Sequence, residues 1–410
     1  MAKKNSTKTV PELRFRGFTD PWEQRQLGEL YSKNTERNQN RYDARKTLSV
    51  SSMTFNPSGN GASDESLTTY KVLRVGDAAF EEHTSNEFAF GRFVVNTTGN
   101  GIMSPRFAAI RPTSQWRQSC DLNFWAFYLH DEGVMKHILV RSTKRGTMMN
   151  ELVFDDFFAE RIRVPSLPEQ RRIGEFFSTL DSIIAAAERQ ETLLRKKKQA
   201  YLQLMFPQEG ETEPRLRFAG FSGEWEPLQL GELYAKNIER NGNQFDAEKT
   251  LSVSSMTFNA SGNGAAEESL STYKVLRIGD AAFEGHTSNE FAFGRFVVNT
   301  LGDGIMSPRF AAIRPTARWR ESCDLDFWSY YLHDENVMKR ILVRSTKRGT
   351  MMNELVLDDF FMERIRVPSL PEQRRIGDFF SALDNLIAAT KQRTESLRAL
   401  KSAYLQRMFV

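Results

Sequence analysis

The sequence predicts an α+β protein built as two equivalent globular domains and two long helices, and three observations carry that reading. Residues 11–206 recur as 214–409 at a constant offset of 203, without insertion or deletion. Each copy opens with short β-branched and aromatic runs broken by Gly, Asn and Pro, the pattern of an irregular sheet. Each copy closes with roughly 35 residues in helical, heptad-like spacing.

The register holds at landmarks throughout: Trp22 matches Trp225, His83 matches His286, Cys120 matches Cys323, Glu169 matches Glu372 and Phe206 matches Phe409. A period near 200 is too long for a solenoid repeat, so each copy is expected to hold its own core. The boundaries follow as a disordered leader over 1–10, a domain over 11–167, a helix over 168–206 and a linker over 207–213. A second domain over 214–370 and a second helix over 371–410 complete the chain. About four positions in five are identical between 28–167 and 231–370, against about three in five between 171–206 and 374–409.

Within one unit, 47–55, 70–80, 91–96 and 107–111 read as strands. Residues 121–140 turn helical, with a break expected near Gly133, and the polar stretches 34–45, 56–66, 81–86 and 141–147 read as loops. Ser166 and Glu169, like Ser369 and Glu372, have capping-box spacing with Pro in the first turn, so a helix is expected to start there. Ile173, Leu180, Ala187, Leu194 and Tyr201 fall seven apart, with Phe176, Ile183 and Leu204 offset by three. The second copy repeats this with Ile376, Leu383, Thr390, Leu397 and Tyr404 beside Phe379, Leu386 and Leu400. A seam sustained over five heptads is longer than a small domain covers, so each helix is the expected partner of the other. A rod of about 50 Å results. Chain order then predicts antiparallel helices and two domains related by a pseudo-two-fold.

Composition narrows the function classes. At 26% charged and 40% hydrophobic, with mean hydropathy −0.50, the chain reads as soluble and cytoplasmic, with no run long enough to span a bilayer. The first ten residues lack the apolar stretch of a secretory signal. Two cysteines that are copies of one position favour buried free thiols, and five histidines without ligand spacing argue against a metal site. The net charge of +4 is modest, so any nucleic-acid footprint must be local.

These residues resemble the specificity (S) subunits of type I restriction-modification systems, over essentially the whole chain. The resemblance rests on Val164-Pro165-Ser166-Leu167-Pro168-Glu169-Gln170-Arg171-Arg172-Ile173, repeated from Val367 to Ile376. It rests also on Trp22 with Leu27–Leu30, Tyr70-Lys71-Val72 with Gly76-Asp77, and the run Gly101–Phe107. It implies two target-recognition domains separated by spacer helices, double-stranded DNA as ligand and two methyltransferase subunits as partners, with restriction/translocase subunits left open. It also implies that S-adenosylmethionine, ATP and Mg²⁺ belong to partner subunits, so that this chain binds no cofactor and catalyses nothing. The sequence agrees in lacking a P-loop, a Gly-rich cofactor turn and an NPPY-type tetrapeptide. Asp155, Asp156 and Glu160 read as surface acids beside a helix rather than a nuclease centre.

Basic and amide side chains in loops are the expected readers: Lys71, Asn86, Arg92, Arg106, Lys144 and Arg145, matched by Lys274, Asn289, Arg295, Arg309, Lys347 and Arg348. Each has a solvated or structural alternative, and Arg106, between Pro105 and a strand, has one in the fold. The charged helix faces, including Arg171, Arg172 and Lys196–Lys198, are candidate docking surfaces for the methyltransferase subunits or simply solvated. The chain departs from the family pattern in having two nearly identical domains, which predicts an interrupted palindrome or near-palindrome. The substitutions Arg41/Gln244, Arg45/Glu248, Asn100/Asp303, Gln115/Arg318 and His137/Arg340 leave open whether the half-sites match fully. A non-DNA tandem adaptor and a self-contained DNA-modifying enzyme are the competing classes.

Overall fold

A computed structural model describes residues 10–409 apart from 57, 60, 86, 147, 148, 260–263, 265, 350 and 351. Of the leader expected over 1–10, all but Val10 lies outside the described residues. The fold is α+β, with two globular domains and two long helices, Leu167–Met205 and Leu370–Met408. Contacts divide it into two compact units, one formed by residues up to 188 with those from 392 onward, the other by 189–391.

In the first unit, a four-stranded antiparallel sheet runs Tyr31–Lys33, Ala109–Pro112, Ala78–Glu81, Arg92–Val95 in spatial order. The inner strand Ala78–Glu81 carries small residues, Ala78 and Ala79, because both of its faces are buried. The edge strand Arg92–Val95 alternates half-buried and buried, as a strand with one wet face should. Lys71–Leu73 pairs separately with Gly101–Met103, and Glu23–Gln26 with Arg161–Val164. The second unit repeats these pairings, with its main sheet ordered Tyr234–Lys236, Ala312–Pro315, Ala281–Glu284, Arg295–Val298.

The break expected near Gly133 falls just before it, dividing the helical stretch into Leu122–Tyr128 and Glu132–Ser142, because Asp131 caps the second piece by accepting from the Val134 N–H. Asn336 replaces Gly133 in the second copy with the same break, so the cap and not the glycine sets it. The stretch 141–147 is not simply a loop: Thr143–Arg145 pairs with Asn150–Leu152 in a β-hairpin.

Each core is aromatic and is closed by the end of a long helix. Phe409 meets Phe124, Tyr128 and Phe177 at 5.9, 5.0 and 5.6 Å in the first unit. Phe206 meets Phe327, Tyr331 and Phe380 at 5.9, 4.9 and 5.8 Å in the second. At the other end of each helix, the Pro-Glu-Gln phrase acts as a fastening. Glu169, expected to close a capping box, instead accepts from Arg14 Nε and Nη2 at 2.6 and 2.7 Å, and Glu372 does the same with Arg217 at 2.7 and 2.8 Å. Gln170 is fully engaged: Oε1 accepts from the Asp121 N–H and from Trp125 Nε1, while Nε2 donates to Pro165 O. The first long helix is thereby tied to the segment before the sheet and to the helix Leu122–Tyr128.

Within each unit the two helix portions run antiparallel. In the first, Phe176, Asp181 and Glu188 meet Tyr404, Lys401 and Arg398 in descending order. In the second, Lys198 bonds Asp384 at 2.7 Å and Tyr201 packs edge-on against Phe379 at 5.1 Å. The buried stripe is Ile173, Phe177, Leu180, Ile184 and Ala187, alternating steps of four and three. Ile376, Phe380, Ile387 and Thr390 match it in the second helix, with Leu383 half-buried between them. Ile183 and Leu386, expected in the seam, are 40% and 46% exposed, as are Leu204 and Leu400 at 38% and 44%. Leu194, Leu397, Tyr201 and Tyr404 are half-buried. Phe176 and Phe379 flank the stripe, packed edge-on against Phe15 and Phe218 at 5.7 and 5.8 Å. The displacement has a simple cause: Phe176-Phe177, Ile183-Ile184 and Leu204-Met205 are apolar doublets, so steps of three and of four both land on an apolar residue. Ile184→Ala is expected to lower stability by about 2–4 kcal/mol, whereas Ile183→Ala changes it by less than about 0.5. Urea unfolding of the two variants checks the register.

Candidate nucleic-acid interface

The strand Lys274–Leu276 projects Lys274 beside the turn that follows Gly304–Met306, where its Nζ donates to Phe310 O at 2.5 Å. The Arg309 guanidinium lies 4.7 Å from the centre of the Phe310 ring. Two clefts open on either side of this pair. One, of about 390 Å³, is lined by Ser254, Tyr273, Glu284, His286, Ser307 and Arg309 among others. The second, of about 200 Å³, is lined by Lys236, Asn237, Lys274, Arg309, Asn353 and Glu354 among others. The first unit builds the same cluster: Lys71 Nζ donates to Phe107 O at 2.5 Å, and Arg106 stacks at 4.5 Å on Phe107.

Electrostatics bears out the crowding of cations. Burial, followed by the charges of Arg37 and Lys33, depresses the Lys71 pKa, and burial with Arg240 and Lys236 does the same at Lys274. Lys236, Lys274 and Arg309 line the smaller cleft with Glu354, and Arg309 also borders the larger one beside Ser254, Ser307, His286 and Glu284, so the cations outnumber the carboxylates where an anionic backbone would be neutralised.

Residues 316–399 match the family model described as "Type I restriction modification DNA specificity domain". Over that stretch the chain is similar to the type I DNA specificity domain. The corresponding stretch of the first copy is 113–196, at the repeat offset. No curated protein sequence matches the chain. Among solved structures, the type I restriction-modification S subunit from M. genitalium is similar at 13% identity, TM-score 0.54, over 98% of this chain and 99% of that one. A chain from a type I R-M system studied for complex assembly and conformational transition aligns at 18% identity, TM-score 0.53, over 95% and 97%. The HsdS subunit from Thermoanaerobacter tengcongensis aligns at 20% identity and TM-score 0.48, over 95% and 96%. The first two show that the fold is shared from end to end.

In the two copies of the repeat, Lys71 with Arg106 and Lys274 with Arg309 are brought together. Lys144 and Lys347 stand exposed on the hairpin strands, Arg348 is exposed just beyond, and Arg145 ends the strand Thr143–Arg145. Asn289 is exposed in a bend, while Asn86 lies outside the described residues. Arg92 and Arg295 serve the sheet: Arg92 bonds Glu81 at 2.6 Å and Ser51 O at 3.2 Å and stacks on Phe88, and Arg295 repeats this with Glu284, Ser254 and Phe291. Sequence reasoning missed Lys33, Arg37, His83 and their copies. Their signal was present, because every residue named above as lining the clefts has an identical partner in the other copy. Asp155 and Asp156 open a short helix, Glu160 is held by Arg141 at 2.6 Å through both oxygens, and no metal-competent cluster occurs among the described residues.

Two of the divergent pairs belong to one ion network. Buried Asp77 accepts from Arg111, Asn34 and the Arg74 N–H, and Glu36 accepts from Arg74, Arg111 and Arg41. In the second copy Gln244 replaces Arg41 and Asp303 replaces Asn100, and Arg277 spans the difference, bonding Asp303 at 2.7 Å and Gln244 at 3.0 Å. The substitutions thus offset one another inside the domain. Hydrogen bonding from Arg74, with Arg111 and Arg41, holds the Glu36 pKa down at about 2, against an ordinary 4.5. A depressed carboxylate stabilises the fold above its unfolded pKa and loses that contribution as pH falls through its folded value. The stability gap between the native chain and Glu36→Gln is therefore expected to be full at pH 6 and to shrink from about pH 4.5 towards pH 2. Melting curves over that range check it.

Proposed function

We propose that this chain is the DNA sequence-recognition subunit of a type I restriction-modification complex. The observation that carries the reading is the basic cluster built twice from the same residues, Lys71, Arg106 and Phe107 in one copy and Lys274, Arg309 and Phe310 in the other. Each domain reads one half of a bipartite site, and because the two domains share these residues the halves form a near-palindrome. Phosphates are neutralised by Lys33, Arg37 and Lys71 and their copies, while Arg106 and Arg309 reach base edges. Two methyltransferase subunits dock on the helices, whose Arg171, Lys196 and Lys197 are exposed, whereas Lys198 is committed to Asp384. S-adenosylmethionine, ATP and Mg²⁺ chemistry belongs to partner subunits, and the chain itself is non-catalytic. No described helix is long and apolar enough to cross a membrane, which agrees with a cytoplasmic complex.

The test is binding of the chain, purified with its methyltransferase subunit, to a randomised duplex library, followed by a salt series on the enriched sequence. One bipartite motif and a log–log salt slope of roughly −4 to −8 are expected, for about four to eight phosphate contacts. Salt-independent binding, or no enrichment, favours the adaptor class.

A further inference from the structure

A cavity of about 480 Å³, sharing no residue with the two clefts, opens in the second unit between the start of the linker, the helix Glu335–Ser345 and the strand Arg364–Val367. Four arginines line it, Arg340 and Arg344 from the helix and Arg364 and Arg366 from the strand. Residues four apart on a helix, or two apart on a strand, share a face, so each pair is held together against its own repulsion.

Three carboxylates line the same cavity without neutralising these arginines. Glu211 is committed outside it: one oxygen accepts from Arg215 Nε at 2.7 Å and the other from the Gln208 N–H at 3.0 Å. Glu363 reaches Arg344 at 3.5 Å, and Glu209, 76% exposed, comes no nearer to Arg340 than 3.9 Å. Guanidinium–carboxylate bonds normally close to about 2.7–2.9 Å, so both arginines keep donors to spare. Four arginines against two uncommitted carboxylates leave an excess of two positive charges.

The first domain is built differently here. His137 stands where the second has Arg340, and burial pushes its pKa down from 6.5, so it is neutral at physiological pH. Arg141, the counterpart of Arg344, is taken by Glu160 through two bonds of 2.6 Å.

We propose that this cavity binds a phosphate monoester, such as a nucleoside 5′-monophosphate, and that the first domain has no equivalent site. A monoester carries a charge of about −1.5 to −2 at neutral pH and offers three acceptor oxygens, which matches the excess charge and the guanidinium forks. A phosphodiester of duplex DNA, with one charge, matches it less well. Pro227, Ile341, Ile365 and Met362 give the cavity an apolar wall for the body of the ligand.

The experiment is calorimetric titration of the full chain, purified with its methyltransferase subunit and without DNA, with adenosine 5′-monophosphate, inorganic phosphate and adenosine. Both phosphates are expected to bind and adenosine is not. Arg340→His, which installs the residue of the equivalent position 137, and Arg344→Ala should each weaken phosphate binding by roughly 10- to 100-fold. Arg141→Ala, in the first domain, should leave it unchanged. Tighter binding of the nucleotide than of inorganic phosphate would place its body on the apolar wall, and equal binding would assign recognition to the phosphate alone. No phosphate binding up to millimolar concentration, binding that survives both second-domain variants, or binding lost in Arg141→Ala overturns the proposal. If Arg340→His instead lowers the salt slope of duplex binding while the native chain ignores free phosphate, the arginines serve the DNA backbone and the monoester site is refuted. The titration contains no DNA, so its outcome is independent of the DNA-reading assignment.

Discussion

Replacing Arg106 and Arg309 together by alanine is expected to weaken binding to the selected duplex by roughly 30- to 10⁴-fold, from about 1–3 kcal/mol of base contact at each half-site. The two guanidinium groups occupy equivalent places, each stacked on the following phenylalanine. Either single variant should therefore relax one half of the motif and spare the other, and the double variant should relax both. Changing Lys71 or Lys274 instead should lower affinity for all sequences alike and reduce the salt slope by about one. Competition binding with duplexes altered in one half at a time separates the two behaviours. Equal losses on every duplex would assign the arginines to the phosphate backbone.

Arg14→Ala is expected to cost about 3–5 kcal/mol of stability, the largest effect of any single substitution considered. Its partner Glu169 is 1% exposed and takes both guanidinium bonds, so the variant strands a charge beneath the start of the first long helix. Arg217→Ala should behave in the same way through Glu372. Because the cost lies in the uncompensated charge, adding Glu169→Gln to Arg14→Ala should recover a large part of it. Chemical denaturation of the three proteins tests this, and a loss below about 1 kcal/mol for Arg14→Ala would show that the fastening lies elsewhere.

The duplication, the α+β class and the start of both long helices were legible because each depends on local chemistry or on simple recurrence. The seam was legible only in part. Its seven-residue steps stand out in the sequence, but the intervening row could be placed only by packing, since Ile183 and Ile184 are equally apolar. The chemistry of Glu169 was misjudged for a related reason. Spacing from Ser166 suggested a local cap, while the partner that claims the carboxylate, Arg14, lies 155 residues away in sequence. Among the candidate readers, type and position in loops could not tell Arg92, held by Glu81, from Arg106, which stands exposed on its own phenylalanine.

The most direct measurement of the central claim is the methylation motif written in cells that express the native chain with its methyltransferase subunit. Two nearly identical domains predict a single interrupted motif whose halves are the same or nearly the same word in opposite orientation. Two unrelated halves would contradict the equivalence of the domains, and a folded complex that writes no motif would contradict DNA reading itself.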